Sequence, residues 1–273
     1  MIDAHQHFWK YDPVRHDWIT DDMRVIRKDF TPPDLHPHLV KHGFDGCVLV
    51  QVDQTEDETR MLLEWADAFD FIRGVVGWVD LRSDSLGERL SFYKHQSRLK
   101  GFRHIIQGEK AGFMDQPALV NGVKLLSRWD FTFDLLIYHY QLEEALRFVR
   151  QIPDTRIVID HIAKPAIAEM EIAEWKKYMR AMAECPNVWC KVSGMVTEAN
   201  WSSWKPNDFD PYLDVVADVF GPDRLMYGSD WPVCLVAASY DDQFAIVREF
   251  VQRFSADESE RILGGNAIRF YNL

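Results

Sequence analysis

A chain of 273 residues, 47% hydrophobic and 27% charged, has the composition of an ordinary globular protein. A net charge of −12, with Lys and Arg scattered, excludes a nucleic-acid binder, which needs a clustered positive surface. No apolar run approaches the roughly 20 residues of a membrane span, and the first residues lack a basic segment leading into an apolar stretch, so no membrane contact and no secretory signal are expected.

In chain order, the first β-rich run is predicted over 2–7, IDAHQH. In a strand, residues two apart share a face, so His5 and His7 are expected side by side. Such a pair suits a metal ion, or two donors to a substrate oxygen. The second run, 46–52, closes with Gln51 and Asp53, and the third, 74–79, carries Trp78 and leads to Asp80. Helical periodicity fills 57–69, with Asp57 as its expected N-cap. The fourth run, 100–106, closes with Arg103 and His104; the fifth, 132–138, with Tyr138 and His139. A helix is expected over 141–151, where Leu142, Ala145, Leu146 and Val149 share a face. The sixth run, 156–161, ends in Asp160 and His161 with Lys164 just beyond; the seventh, 187–193, carries Lys191 and Ser193. The eighth, 224–229, opens into Ser229, Asp230 and Trp231, and a helix over 239–254 follows Ser239 as its N-cap.

Eight strands alternating with helices in about 270 residues predict an α/β fold, a (β/α)8 barrel over a single domain, 1–273. A doubly wound open sheet fits less well, because neither GxGxxG after an early strand nor GxxxxGK[ST] occurs. Cys47, Cys185, Cys190 and Cys234 show no CxxC spacing and read as reduced, mostly buried thiols of a cytoplasmic protein. His16, His36, His38, His42 and His95 fall in loops or helices and read as structural or exposed.

Barrel enzymes draw their chemistry from the C-terminal strand ends. Histidine at four of eight such ends, with an aspartate after Leu225-Met226-Tyr227-Gly228, points to a site. His5 and His7, with a further imidazole and a carboxylate, suit Zn²⁺ with an open position. Asp230 is the expected general base for water. Arg103, His104 and His161 are placed to stabilise charge on a carbonyl oxygen. No GxSxG elbow is present, which argues against serine acyl transfer.

The stretches IDAHQHFW, GFRHIIQ, VIDHIAKP, CKVSG, RLMYGSDWPV and ILGGNAIRFY resemble the amidohydrolase superfamily, and within it the lactonase-type amidohydrolase 2 branch. VCKVSGMVTEANW and MYGSDWPVCLVAASY are similar to sugar lactonases acting on L-fucono- and L-rhamnono-lactones. The resemblance spans the chain from His5 to Ala267 and implies a distorted (β/α)8 barrel that hydrolyses at its strand C-termini. It carries His5 and His7 onto the strand 1 HxH, His161 onto the strand 6 histidine, Asp230 onto the catalytic aspartate, and His139, more loosely, onto a strand 5 metal ligand. The bridging carboxylated lysine of two-metal members has no counterpart, since strand 4 has only Lys100 at its start. The implied cofactor is one divalent metal, Zn, and some lactonases of this branch need none.

The substrate expected on this reading is a sugar lactone, opened to its aldonic acid, with Arg103, His104, Tyr138, Lys164, Lys191, Trp201 and Trp231 around it. The alternative is a metal-dependent decarboxylase or a dicarboxylate lactonase of the muconate or pyrone type. Permanent carboxylates should demand more than one convergent Arg, and only Arg103 ends a strand. A non-catalytic sugar-binding barrel is disfavoured by the acid/base set. The expected assembly is a monomer or homodimer.

Overall fold

The computed structural model describes residues 1–273. Eight strands form one parallel sheet in the order β1 to β8: β1 Ile2–Gln6, β2 Gly46–Val50, β3 Ile72–Gly77, β4 Leu99–His104, β5 Thr132–Leu135, β6 Ile157–Ile159, β7 Val188–Val192 and β8 Leu225–Tyr227. One helix follows each: α1 Pro32–His42, α2 Glu56–Ala68, α3 Leu86–Tyr93, α4 Pro117–Ser127, α5 Leu142–Arg150, α6 Ala173–Ala183, α7 Asp210–Phe220 and α8 Tyr240–Phe250. Two short helices, α9 Ala256–Glu260 and α10 Asn266–Tyr271, end the chain. No helix is long and apolar enough to cross a membrane.

The strands read as continuous apolar runs because both faces are covered. In β2, Val48 and Val50 point into the barrel, while Cys47 and Leu49 pack outward against the helices. The inner layer joins Ile2, Ala4, Val48, Val50, Val76, Val158 and Met226 to Ala267, Phe270 and Tyr271. Helix α10 therefore plugs the barrel floor. The sheet closes where β1 meets the end of β8: Asp230 N donates to His5 O at 2.8 Å, and His7 N to Trp231 O at 2.7 Å. Asp3 seals this seam, accepting from Ser229 N at 2.9 Å and from the Tyr240 hydroxyl at 3.2 Å.

One irregularity aims the site. Asp3 pairs with Cys47, but Gln6 pairs with Leu49, so β1 carries one residue more than β2 across this interval. Such a bulge reverses which face the later side chains take. Ile2 and Ala4 face inward before it, His5 and His7 face inward after it, and Gln6 turns outward to Cys47 Sγ at 3.2 Å.

Boundaries differ from the sequence expectation where caps and strand ends decide them. Helix α2 starts at Glu56, because Thr55 Oγ1 accepts from Glu58 N at 3.1 Å; Asp57 lies inside the helix and is not its cap. Ser239 does cap α8, accepting from Asp242 N at 3.1 Å. Strands β5 and β6 stop early, so Tyr138, His139, Asp160 and His161 lie in the loops just beyond them. All four cysteines are free; Cys47, Cys190 and Cys234 are buried and Cys185 is half-buried.

Candidate active site

The ends of β1, β6 and β8 converge at Asp230. Its Oδ1 lies 3.3 Å from His7 Nε2, 3.8 Å from His161 Nε2 and 3.9 Å from His5 Nε2, while the Nε2 atoms of His5 and His7 are 3.2 Å apart. The backbone is bent to achieve this. His161, Ile162, Ala163 and Lys164 all have left-handed φ, between 46° and 60°, and so does Asp230 at 56°. Each such non-glycine residue costs roughly 1–2 kcal/mol, so the turn must be held from outside. Trp175 Nε1 donates to Ile162 O at 2.7 Å, His139 Nδ1 to Lys164 O at 2.9 Å, and Ser193 Oγ meets His161 Nδ1 at 2.9 Å. Two glycines make room: a Cβ on Gly194 (φ +59°) would sit 2.4 Å from His161 Nδ1, and one on Gly228 would sit 2.5 Å from His5 Cβ.

Beneath the imidazoles lies a buried layer of charge. Lys191 Nζ contacts Asp134 Oδ2 at 2.5 Å, Asp160 Oδ1 at 3.0 Å and His5 Nδ1 at 3.0 Å. Arg103 Nη1 donates to Asp160 Oδ2 at 3.1 Å, Arg103 Nη2 binds the Gln51 carbonyl, and Tyr271 Oη donates to Asp134 Oδ2 at 2.7 Å. Burial opposes charge on Asp160, but Lys191, His5 and Arg103 outweigh it and hold that carboxyl well below the usual range. Burial pushes Asp134 up to about 6 against the pull of Lys191. Burial, and then Lys191, drives His5 well below the ordinary imidazole value; burial lowers His7 and takes His161 to about 4. The three rings are therefore neutral near pH 7 and carry lone pairs. Burial also opposes charge on Asp230, yet His161 and His7 prevail and keep it below the ordinary carboxylate value.

Neutral imidazoles beside an ionised carboxylate fit a divalent cation. His5, His161 and Asp230 offer ligand atoms within 4.8 Å of one another, and His7 Nε2 lies 3.3 Å from Asp230 Oδ1. Zn²⁺ bonds of about 2.0–2.1 Å put neighbouring donors about 3.4 Å apart; here His7 Nε2 stands 3.3 Å from Asp230 Oδ1, and the His161 and His5 Nε2 atoms stand at 3.8 and 3.9 Å. A second observation supports the fit. Asp160 Oδ1 is buried with no aligned hydrogen bond; it lies 3.0 Å from Lys191 Nζ and 3.3 Å from His5 Nδ1. It is the acceptor that an imidazole bound through Nε2 requires for its Nδ1–H.

The family model described as Amidohydrolase matches residues 2–273. The chain belongs to the amidohydrolase family. An L-fucono-1,5-lactonase of Burkholderia multivorans is 39% identical, over all of this chain and 96% of its own length. An L-rhamnono-gamma-lactonase of Scheffersomyces stipitis is 26% identical over 64% of this chain and 59% of its own. A crystal structure of a Burkholderia multivorans amidohydrolase with bound Zn has a TM-score of 0.97 and 40% identity, covering all of this chain and 99% of that one.

In this amidohydrolase the site opens into a cavity of about 600 Å³. His7, Arg103, Tyr138, His161, Lys164, Trp201 and Asp230, all expected from sequence, line it, and His5 lies buried directly below. Four expected residues stand elsewhere. His139 points away, its Nδ1 bound to the Lys164 carbonyl, because β5 ends four residues earlier. Lys191 is fully buried one layer down, paired with two aspartates. His104 bonds Glu109 at 2.8 Å and stacks on Phe113. Trp231 is packing, wedged edge-on against Phe8 and Phe30. Sequence reasoning missed Arg15, Trp18, Gln54 and Glu198, which line the cavity from loops. Glu198 sits 3.6 Å from Lys164 Nζ, and burial raises its carboxyl above the ordinary range. Only strand ends carried a positional signal, and none of these four residues lies at one.

Proposed function

We propose that this amidohydrolase hydrolyses a sugar-derived lactone to the aldonic acid, with an L-fucono- or L-rhamnono-lactone-like substrate, within the single domain 1–273. The observation that carries it is the ionised Asp230 facing three neutral imidazoles at the mouth of a polar cavity. The full-length likeness to a protein named L-fucono-1,5-lactonase supports the substrate class.

His5, His7, His161 and Asp230 would hold a divalent metal such as Zn. When bound, it supplies electrophilic polarisation of a carbonyl oxygen and makes water more acidic. Asp230 takes a proton from the water that attacks the lactone carbonyl carbon. A C–O bond forms, the ring C–O bond breaks, and the same proton passes to the departing ring oxygen. Arg103, fixed by Asp160 and Gln51, keeps positive charge beside the developing oxyanion. Tyr138 and Trp201 offer ring faces to the sugar, and Lys164, 5.2 Å over the Tyr138 ring and paired with Glu198 at 3.6 Å, lines the cavity where the new carboxylate forms.

A panel of aldono-lactones with a pH indicator, run with and without chelator, tests this. One proton released per lactone opened is expected, with activity falling after metal removal. Acid release from no lactone, with carbon dioxide released from an aromatic acid instead, would transfer the protein to the decarboxylase reading. Full activity in metal-free protein would assign His5 and His7 to the substrate carbonyl.

A further inference from the structure

The position of the proton on His5 follows from its neighbours. His7 Nδ1 lies 2.7 Å from the Val50 carbonyl oxygen, which can only accept. The single ring proton of neutral His7 is therefore on Nδ1, and its Nε2 carries a lone pair. His5 Nε2 stands 3.2 Å from that lone pair. On the opposite side, His5 Nδ1 stands 3.0 Å from Lys191 Nζ, an ammonium that can only donate. Lys191 and His7 ask for one tautomer, in which Nδ1 accepts and Nε2 donates; Asp160 Oδ1, 3.3 Å from Nδ1, asks for the other but is not aligned for a hydrogen bond with it. The donors then run in one direction, Lys191 to His5 to His7 to Val50. Arg103 Nη1, 3.4 Å from His5 Nε2, is the one neighbouring donor out of line, and it is engaged with Asp160 Oδ2 at 3.1 Å. Asp160 Oδ1 keeps only its ion pair with Lys191 Nζ at 3.0 Å in this arrangement, with no aligned hydrogen bond.

We propose that Lys191 is a positioning residue that sets the cation affinity of the site, by holding the His5 proton on Nε2, the atom a bound cation requires free. The inference rests on the reading that this site takes a divalent cation. Loading moves the proton from Nε2 to Nδ1, where Asp160 Oδ1 accepts it, and leaves the number of bound protons unchanged. Lys191 cannot swing aside, since Asp134 grips it and Tyr271 of the floor helix grips Asp134. The tautomer shift then opposes cation binding, and a metal-free site presents His5 Nε2–H as a donor.

Two measurements test this. Metal-free protein labelled with ¹⁵N-histidine is examined by two-bond ¹H–¹⁵N correlation, with His5→Gln assigning the His5 signals. The expected state is Nε2–H, changing to Nδ1–H with one equivalent of Zn²⁺. A metal-free His5 protonated on Nδ1 overturns the proposal, and this result needs no variant of Lys191. The second measurement uses Lys191→Met combined with Asp134→Asn, which removes one charge of each sign and keeps an acceptor for Tyr271. Zn²⁺ competition against a chelating dye should show affinity higher by about 10–100-fold, the range of outer-shell effects on metal sites. Equal or weaker affinity in the folded double variant overturns this inference alone. Absence of Zn²⁺ binding in both proteins overturns the cation reading and this inference with it.

Discussion

At the scale of one residue, the proposed hydrolysis turns on Asp230. Asp230→Asn keeps the shape but removes the base. We expect kcat to fall by about 10²–10⁴-fold with little change in KM, since the lost interaction belongs to the transition state. Measuring kcat and Tm on the same protein separates this from a purely structural role, for which Tm would fall and turnover persist. Glu58 makes a second test. It accepts from the backbone of Val52 and Asp53 at 2.8–3.1 Å, and burial lifts its carboxyl to about 8 from 4.5. A raised folded pKa contributes stability that is complete below about pH 4.5 and is lost as pH rises through about 8. Glu58→Gln removes that dependence, so the Tm advantage of the unaltered protein should shrink from pH 5 to pH 8. An advantage constant over that interval would show the carboxylate ionised throughout, stabilised by its three backbone contacts.

At the scale of elements, the left-handed turn after β6 and the bulge in β1 do the aiming. The turn tolerates four strained residues because Trp175, His139 and Ser193 hold it, and because Gly194 leaves space for the His161 ring. Gly194→Ala places a methyl 2.4 Å from His161 Nδ1 and forces an L side chain to φ +59°. The backbone cost alone is about 1–2 kcal/mol, and His161 must move. Both Tm and kcat should drop. Gly87→Ala in α3 is the control: a Cβ there meets nothing within 4 Å, and the exchange should raise Tm, by about 0.5–1 kcal/mol of helix stability. Unchanged kcat in Gly194→Ala would remove the turn from the catalytic account.

Across the whole molecule, the last helix connects the barrel floor to the site. Phe270 is 1% exposed within the inner layer, its carbonyl accepts from Arg156 Nη1 at 2.7 Å, and Tyr271 reaches Asp134. Phe270→Ala empties part of the plug and should cost about 3–5 kcal/mol, read as a lower urea midpoint at an unchanged m-value. A loss below about 1 kcal/mol would mean that the floor collapses to fill the gap.

What the sequence determined by itself was the architecture and the rim of the site. Runs such as GCVLV, apolar on both faces, can be buried only between a core and covering helices, and eight of them alternating with helices leave few closures other than a barrel. Because parallel strands all end on one side, the polar residues closing them had to meet there, and His5, His7, His161 and Asp230 do. Depth and direction were decided by the tertiary structure. One extra residue in β1 turns both histidines inward, and that bulge depends on pairing with β2, which no local pattern records. Lys191 and His139 look alike in sequence, as polar groups near strand ends. Yet Lys191 is committed below the site by Asp134, and His139 turns to a backbone carbonyl because β5 stops early. Where a side chain lands around a barrel depends on contacts between residues far apart in the chain, and those arise only when the sheet closes.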